Sequence, residues 1–535
     1  MERRDIIKSL AVLPFAGSFL PLESVLGSAK GPLAAGAGNI YQSIGVEPVI
    51  NCVGTFTIIG GSLERPEVVS AMHDASGSFV QYDELAFGVG RRLAEITGAE
   101  WGMVSAGCAA GMKHVTSACV TGGNPEKLIR IPDLRGFDKT EVVIPRSSRN
   151  QYDHSIRNIG VTIITVETPE ELDRALNSRT AMIYLNAGGD TEPGGPFDLE
   201  KISAMAKPFN IPVLVDAAAE DLTIPNVHLQ RGATVVAYSG GKALCGPQCA
   251  GLLLGRKDIL MSAWQASSPH HGTGRDNKVG KEEMLGMLAA VEAWIKRDHV
   301  EKMKTWHTYL DNITKRVSSV NGTSFTVREP KGLSNHSPSL IISWSFDKFN
   351  VTGQEVAEEL ATGKPRIAVH SSYIDESGNT SISISTGQMQ PGNDKVVADR
   401  IVEVLSQKHT KKEMAAPVAN LSGRWDVDIE FFSSKSRHTF FIEQDGNWIQ
   451  GSHKGDFTLR DMVGILDGDQ VKLSSSERLP GDNVNFVFHG TASNDKMTGQ
   501  IYLGEYINAK FTATRHEQKP SHRPIRVPKG QPLSS

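Results

Sequence analysis

Three short stretches place reactive residue types where a folded chain could use them. "VVAYSGGKALCGPQCAGLLLG", Val235 to Gly255, sets Lys242 between glycines, after one apolar run and before another. A lysine between two interior strands carries a desolvation cost unless it has a partner or a task. An ε-amine there can form a Schiff base with an aldehyde. "VLVDAAA" ends a strongly apolar run on Asp216. A buried carboxylate needs a cation, and a protonated ring nitrogen would supply one. "SAGCAAG", Ser105 to Gly111, reads as a strand-to-helix turn whose free N–H groups and helix dipole suit a phosphate.

Such residues need a scaffold that brings distant strand ends together. Between Asn39 and about Gln407, short β-rich runs ("EVVIP", "VTIITV", "AMIYLN", "IPVLVDAAA", "TVVAYSG") alternate with helical stretches such as "TPEELDRALNS" and "DLEKISAMAKPFN". Interleaving of this kind predicts a mainly parallel sheet with helices on both faces. Open α/β sheets bind ligands at the carboxyl ends of their strands, and all three stretches follow an apolar run. "KEEMLGMLAAVEAWIKRDHVEKMKTWHTYLDNITKRVSSV" reads as one long amphipathic helical region. It leads to a smaller α/β unit containing "SLIISWSF", "TGQEVAEELAT" and "SISISTG".

"SQKHTKKEMAAPVAN" is a polar linker, after which the apolar period changes to two. "RWDVDIEF" puts Trp425, Val427, Ile429 and Phe431 on one face, and Asp445-Gly446 marks a tight turn. Short, regularly spaced strands predict a small antiparallel β-sandwich or barrel. Its aromatics (Trp425, Phe431, Phe440, Phe441, Trp448, Phe486) are expected in its core rather than as a ligand box. The boundaries read as an export signal at 1–29, a cofactor domain at 39–300 and a small α/β domain at 301–407. A linker at 408–420, a β-rich domain at 421–517 and a basic, disordered tail at 518–535 complete the chain.

An anion cradle, an aspartate and a lysine in that order are the parts needed to hold pyridoxal 5′-phosphate. At these positions the chain resembles the fold-type I pyridoxal-phosphate enzymes, in the branch of selenocysteine synthase and D-glucosaminate-6-phosphate ammonia-lyase. The resemblance spans roughly Val46 to Gln390 and is closest in "LAEITGAEWGMVSAGCAAG", "RNQYDHSIRNIGV", "VLVDAAAE" and "YSGGKALCGPQCAGLLLG". It implies that Lys242 carries the cofactor and moves the substrate α-proton, and that Asp216 pairs with the pyridine nitrogen. It also implies backbone donors to the phosphate from Gly107, Cys108 and Ala109, with Ser239 adding a hydroxyl. Cys108 departs from the alanine or serine expected there, which leaves backbone donation intact. His154 either stacks on the pyridine ring or is a hydrogen-bonded structural histidine. Arg366 is the candidate for a substrate carboxylate, with Arg91 and Arg92 as competitors.

Both neighbours in that branch begin with elimination from a β-carbon. The expected activity is therefore that of a lyase acting on a 2-amino-3-hydroxy acid, giving a 2-oxo acid and ammonia. A transferase of the selenocysteine synthase type, or an aminotransferase-like reaction, is the runner-up. A ligand-binding protein working through its β-rich domain is the alternative from another class. Relatives of this kind build their sites between subunits, so the resemblance implies a homodimer or larger.

At the N-terminus, Arg3 and Arg4 precede the 14-residue apolar stretch "SLAVLPFAGSFLPL", and Gly27, Ser28 and Ala29 offer a cleavage point. That layout fits a twin-arginine export signal and a periplasmic protein, and the stretch is too short for a stable membrane span. A net charge of −4 gives no support for nucleic-acid binding. Five cysteines in 535 residues cannot build a disulfide scaffold. Cys245 and Cys249 lack the second ligand pair of a zinc site and read as small buried residues.

Overall fold

The computed structural model describes residues 39–411 and 413–517, together with Gly530. The export segment expected at 1–29 lies outside the described residues, as does the tail expected at 518–535 apart from Gly530. The described chain divides into two units between Lys411 and Lys412, inside the stretch expected to be a linker.

In the first unit, a short strand β1 (Val49–Asn51) precedes the main sheet. That sheet is built from β2 (Trp101–Ser105), β3 (Glu141–Pro145), β4 (Thr162–Val166), β5 (Thr180–Asn186), β6 (Val213–Asp216), β7 (Val235–Ser239) and β8 (Gly251–Gly255). Their order is β2-β8-β7-β6-β5-β3-β4. The pairs among β3 to β7 are parallel, and β8 runs antiparallel to both β7 and β2. Every residue of β2, β3, β6 and β8 is buried, as sheets covered on both faces require. Helix α1 (Cys108–Thr121) starts where β2 ends and is buried along nearly its whole length. Its small residues allow the close approach: a Cβ on Gly111 would stand 2.9 Å from Ser105 Oγ.

The long helical region resolves into α2 (Lys281–Lys296) and α3 (His299–Val317). Asp298 makes the break, because its side chain caps the new helix by accepting from the Glu301 N–H at 2.9 Å. The break lets each helix serve its own core. Met284, Met287 and Val291 of α2 pack with the main sheet. Leu310, Ile313 and Val317 of α3 join a second core. That core includes β10 (Ser339–Ser345) and β13 (Asn379–Ser385) of an antiparallel sheet ordered β12-β13-β10-β9, completed by β9 (Thr323–Arg328) and β12 (His370–Ser371). Helix α4 (Asn393–Ser406) closes it with Val397 and Ile401. One boundary shifts. β1 pairs in parallel with β11 (Arg366–Ala368), and Cys52 is buried in the second core, so residues assigned to 39–300 belong partly to the small domain.

The second unit is a closed antiparallel barrel of eight consecutive strands. They are β14 (Gly423–Glu430), β15 (Lys435–Asp445), β16 (Trp448–Lys454), β17 (Leu459–Asp467), β18 (Gln470–Leu479), β19 (Asp482–Ala492), β20 (Lys496–Leu503) and β21 (Tyr506–Arg515). Closure pairs β14 with β21 and removes both sheet edges. Trp425, Phe440 and Phe486 point inward as expected, whereas Phe441 and Trp448 are exposed and Phe431 is half-buried. Strand parity explains this: Phe441 alternates with the buried Phe440 and Ile442 and so faces out.

Candidate active site

Parallel pairing of β6 with β7, and antiparallel pairing of β8 with both β7 and β2, bring the three stretches to one end of the strands of the main sheet. Asp216 lies opposite Asn186 on one side and Ala237 on the other. Ser239 and Ser105 both lie opposite Gly251. The Asp216 carboxylate is buried and ringed by donors. Tyr184 Oη donates to Oδ2 at 2.9 Å, the Ala218 N–H donates to Oδ1 at 3.0 Å, and Cys108 Sγ stands 3.6 Å from Oδ1. Burial pushes the Asp216 pKa up, and these donors and Lys242 oppose the rise. Burial also pushes Tyr184 and Cys108 well above their ordinary values, so both stay protonated and act as donors. A carboxylate held this way is organised to meet a cation.

At the turn after β2, Gly107 has φ +88°, a region that favours glycine. Its N–H already donates to the Ser105 carbonyl at 2.9 Å, and Ser105 Oγ donates back to the Gly107 carbonyl. Gly107 therefore shapes the turn, and the free N–H groups are those at the start of α1, from Cys108 and Ala109. Gly251 backs this turn so closely that a Cβ there would lie 2.4 Å from the Gly107 carbonyl carbon.

Lys242 lies in the connection between the antiparallel neighbours β7 and β8. The loop is pinned at its neck: the Gly240 N–H donates to Ala250 O and the Gly246 N–H donates to Gly240 O, both at 2.8 Å. The Ser62 N–H binds the Gly241 carbonyl at 3.0 Å. Cys245 is half-buried and Cys249 is exposed, which corrects the expectation that both are buried. Within "GPQC", Gly246 and Pro247 are buried while Gln248 and Cys249 are exposed.

Lys242 Nζ lies 5.9 Å from the centroid of the Tyr152 ring. His154, two residues on, is exposed. Asn150 ties the two tyrosines together, accepting from the Tyr152 N–H at 2.8 Å and donating to Tyr184 Oη at 3.1 Å. Sequence reading missed Tyr184 and Asn150, although Tyr184 is the polar residue in the apolar run "AMIYLN". Arg366 is half-buried at the start of β11, its Nε donating to Ala361 O at 2.8 Å. Arg91 is exposed, and Arg92 is exposed and engaged by Glu95 and Glu292. After Asp216 the chain clasps the second core. Glu220 is buried against His228, and the Asn335 N–H donates to the Ala219 carbonyl.

A family model for class-V aminotransferases matches residues 144–284. The D-glucosaminate-6-phosphate ammonia lyase of Salmonella typhimurium is 30% identical over 293 residues, covering 53% of this chain and 76% of that protein. The chain belongs to that ammonia lyase family. A solved D-glucosaminate-6-phosphate ammonia-lyase structure superposes with a TM-score of 0.62 at 26% identity, covering 70% of this chain and 99% of that one. The 5′-C-glycyluridine monooxygenase-decarboxylase of a Streptomyces species is 28% identical over 387 residues, covering 68% of this chain and 92% of that protein. The protein is thus a fold-type I enzyme of the lyase kind, and its cofactor is pyridoxal 5′-phosphate. The site fits the group. A Cβ on Gly107 would meet nothing within 4 Å, leaving open space beside the free N–H groups of α1, and the donor-ringed Asp216 awaits a cation.

Proposed function

We propose that this enzyme catalyses β-elimination from a 2-amino-3-hydroxy acid, releasing a 2-oxo acid and ammonia. One observation carries the reading. Asp216 and the Lys242 loop stand on neighbouring strand ends beside an anion-binding helix start, in a chain whose relative at 30% identity is an ammonia lyase. Bound pyridoxal phosphate supplies an electron-accepting ring for chemistry at the substrate α-carbon. Asp216 keeps the ring nitrogen protonated. The Cys108 and Ala109 N–H groups and the Ser239 hydroxyl hold the phosphate. Lys242 takes the α-proton and returns it to the departing β-hydroxyl, which leaves as water. The enamine so released hydrolyses to the oxo acid and ammonia.

Two assignments differ in support. Arg366 binds the substrate carboxylate, because only its Nε is tied to the backbone and its strand pairs with β1. Tyr152, rather than His154, packs against the ring, since its aromatic group lies beside the lysine. The protein works as an exported homodimer. Exposed apolar residues along 40–80, among them Phe56, Ile58, Leu63 and Phe79, support a partner covering that segment. Export argues against a phosphorylated sugar acid as substrate.

The test is a panel of 2-amino-3-hydroxy acids given to the purified holoenzyme. Equal release of ammonia and 2-oxo acid is expected without any added acceptor. Turnover that requires a second 2-oxo acid would establish transamination and overturn the reading.

A further inference from the structure

Along the barrel strands, parity sends unexpected residues inward. His438 shares a face with the buried Phe440 and Ile442, and His453 with the buried Ile449. Arg460, Ser475 and Glu477 face the same interior from β17 and β18. All five lie toward one end of the barrel, where β14–β15, β16–β17, β18–β19 and β20–β21 are connected.

These groups form a connected buried set. His438 Nδ1 and His453 Nε2 are 2.7 Å apart, and His453 Nδ1 is 2.7 Å from Ser475 Oγ. Arg460 Nη2 pairs with Glu477 Oε2 at 2.9 Å, and Thr458 Oγ1 donates to that same oxygen. The chain of hydrogen bonds ends in surplus donors. Arg460 Nε and Nη1 are buried without hydrogen-bond partners among the described residues, and the Arg460 side chain is only 9% exposed. Asp456 Oδ2 stands 3.5 Å from His438 Nε2, which favours the tautomer with the proton on that nitrogen. The surplus Nη1 lies at Gly455, where a Cβ would stand 2.4 Å from Arg460 Nη1 and 3.6 Å from His438 Cε1. Buried donors without an acceptor are costly. What Arg460 lacks is a second acceptor.

Exposed apolar or aromatic side chains rim the loops above the set: Phe432, Phe457, Leu479 and Tyr506, Phe457 almost fully at 96%, so each of the four connections bears or adjoins one. The connections at the opposite end are Gly446–Asn447, Gly468–Asp469 and Ser493–Asp495, all glycine or polar. Deeper in, Trp425, Phe440 and Phe488 fill the barrel.

We propose that this mouth binds a small amphiphile bearing one carboxylate, the carboxylate on Arg460 and the apolar body against Phe432, Phe457 and Leu479. A buried guanidinium with two unpaired N–H groups selects an anionic acceptor. The aromatic rim supplies non-directional affinity for a hydrocarbon chain.

Calorimetric titration of the full-length holoenzyme with decanoate tests this, with decanol as the uncharged match. Decanoate should bind at one site per chain and more tightly than octanoate. Decanol should bind at least about tenfold more weakly. Arg460→Met should weaken decanoate by at least about tenfold while Arg460→Lys retains part of the affinity. Should Arg460→Met fail to fold, Phe457→Ser on the exposed loop should still weaken decanoate several-fold. The visible cofactor band reports on the Lys242 site, and a band that stays unchanged through the titration shows that decanoate is not binding there. No decanoate binding, equal binding of decanol, undiminished binding by Phe457→Ser or Arg460→Met, or a band shift that tracks binding would each overturn the proposal.

Discussion

The two units bury polar groups in opposite senses. At the strand ends of the main sheet an acceptor, Asp216, is surrounded by Tyr184, Cys108 and the Ala218 N–H. At the barrel mouth two N–H groups of Arg460, Nε and Nη1, are left over after Glu477 has been satisfied. The first arrangement awaits a cation and the second an acceptor. Charge and hydrogen-bond capacity that do not balance within a protein point to what must come from outside it.

The largest test of this contrast is Lys242→Ala. Borohydride reduction of the wild-type holoenzyme should attach the cofactor to Lys242, and peptide mass spectrometry should find no such label in the variant. Turnover should fall by at least about 1,000-fold. A label on a different lysine would remove Lys242 from the site. Asp216→Asn comes next. It keeps the shape but not the charge, and loss of one buried ionic hydrogen bond predicts a rate about 30- to 1,000-fold lower with the cofactor still attached. Wild-type turnover would end the cation-holding role.

Tyr184→Phe probes the donors rather than the acceptor. Removing one of them destabilises the ionised carboxylate, so the acid limb of the pH–rate profile should move to higher pH, with a rate loss of about 3- to 10-fold. An unmoved acid limb would reduce Tyr184 to packing. The smallest effect concerns barrel stability. Burial lowers the pKa of both His438 and His453, the latter to about 3, with Asp456, Arg460 and Glu477 as their charged neighbours. A histidine whose folded pKa lies below its unfolded value favours the folded state fully above about pH 6.5. That contribution is lost as pH falls toward the folded value, by up to about 1.4 kcal/mol per histidine and pH unit. Barrel melting should therefore drop by several degrees between about pH 7 and pH 5. An invariant melting temperature would contradict neutral burial of the pair.

The sequence made the strand ends legible because each bears a chemically odd residue at the close of an apolar run. Asp216 after "VLV" and Lys242 after "VVAYSGG" are of this kind. Tyr184 was hidden because a tyrosine inside "AMIYLN" is equally at home as core, and only the fold brings its hydroxyl to Asp216. β1 escaped notice because three residues of intermediate burial carry almost no periodic signal, and their partner β11 lies more than three hundred residues away. The barrel was readable from its alternation. The inward histidines could have been read there too, since His438 has the parity of Phe440. The usual reading of histidine as a surface residue masked them.

The neck of the lysine loop has a kinetic consequence. With Gly240 bonded to both Ala250 and Gly246, and the Ser62 N–H on Gly241, the backbone under Lys242 is a fixed pivot. Only the four-carbon arm swings. The lysine can change partners during turnover by rotamer hops on the picosecond-to-nanosecond scale, without waiting for the slower opening of a loop. Amide hydrogens at Gly240 and Gly246 should accordingly exchange slowly whether or not substrate is bound, and the slow step of the cycle should lie in bond breaking or product release.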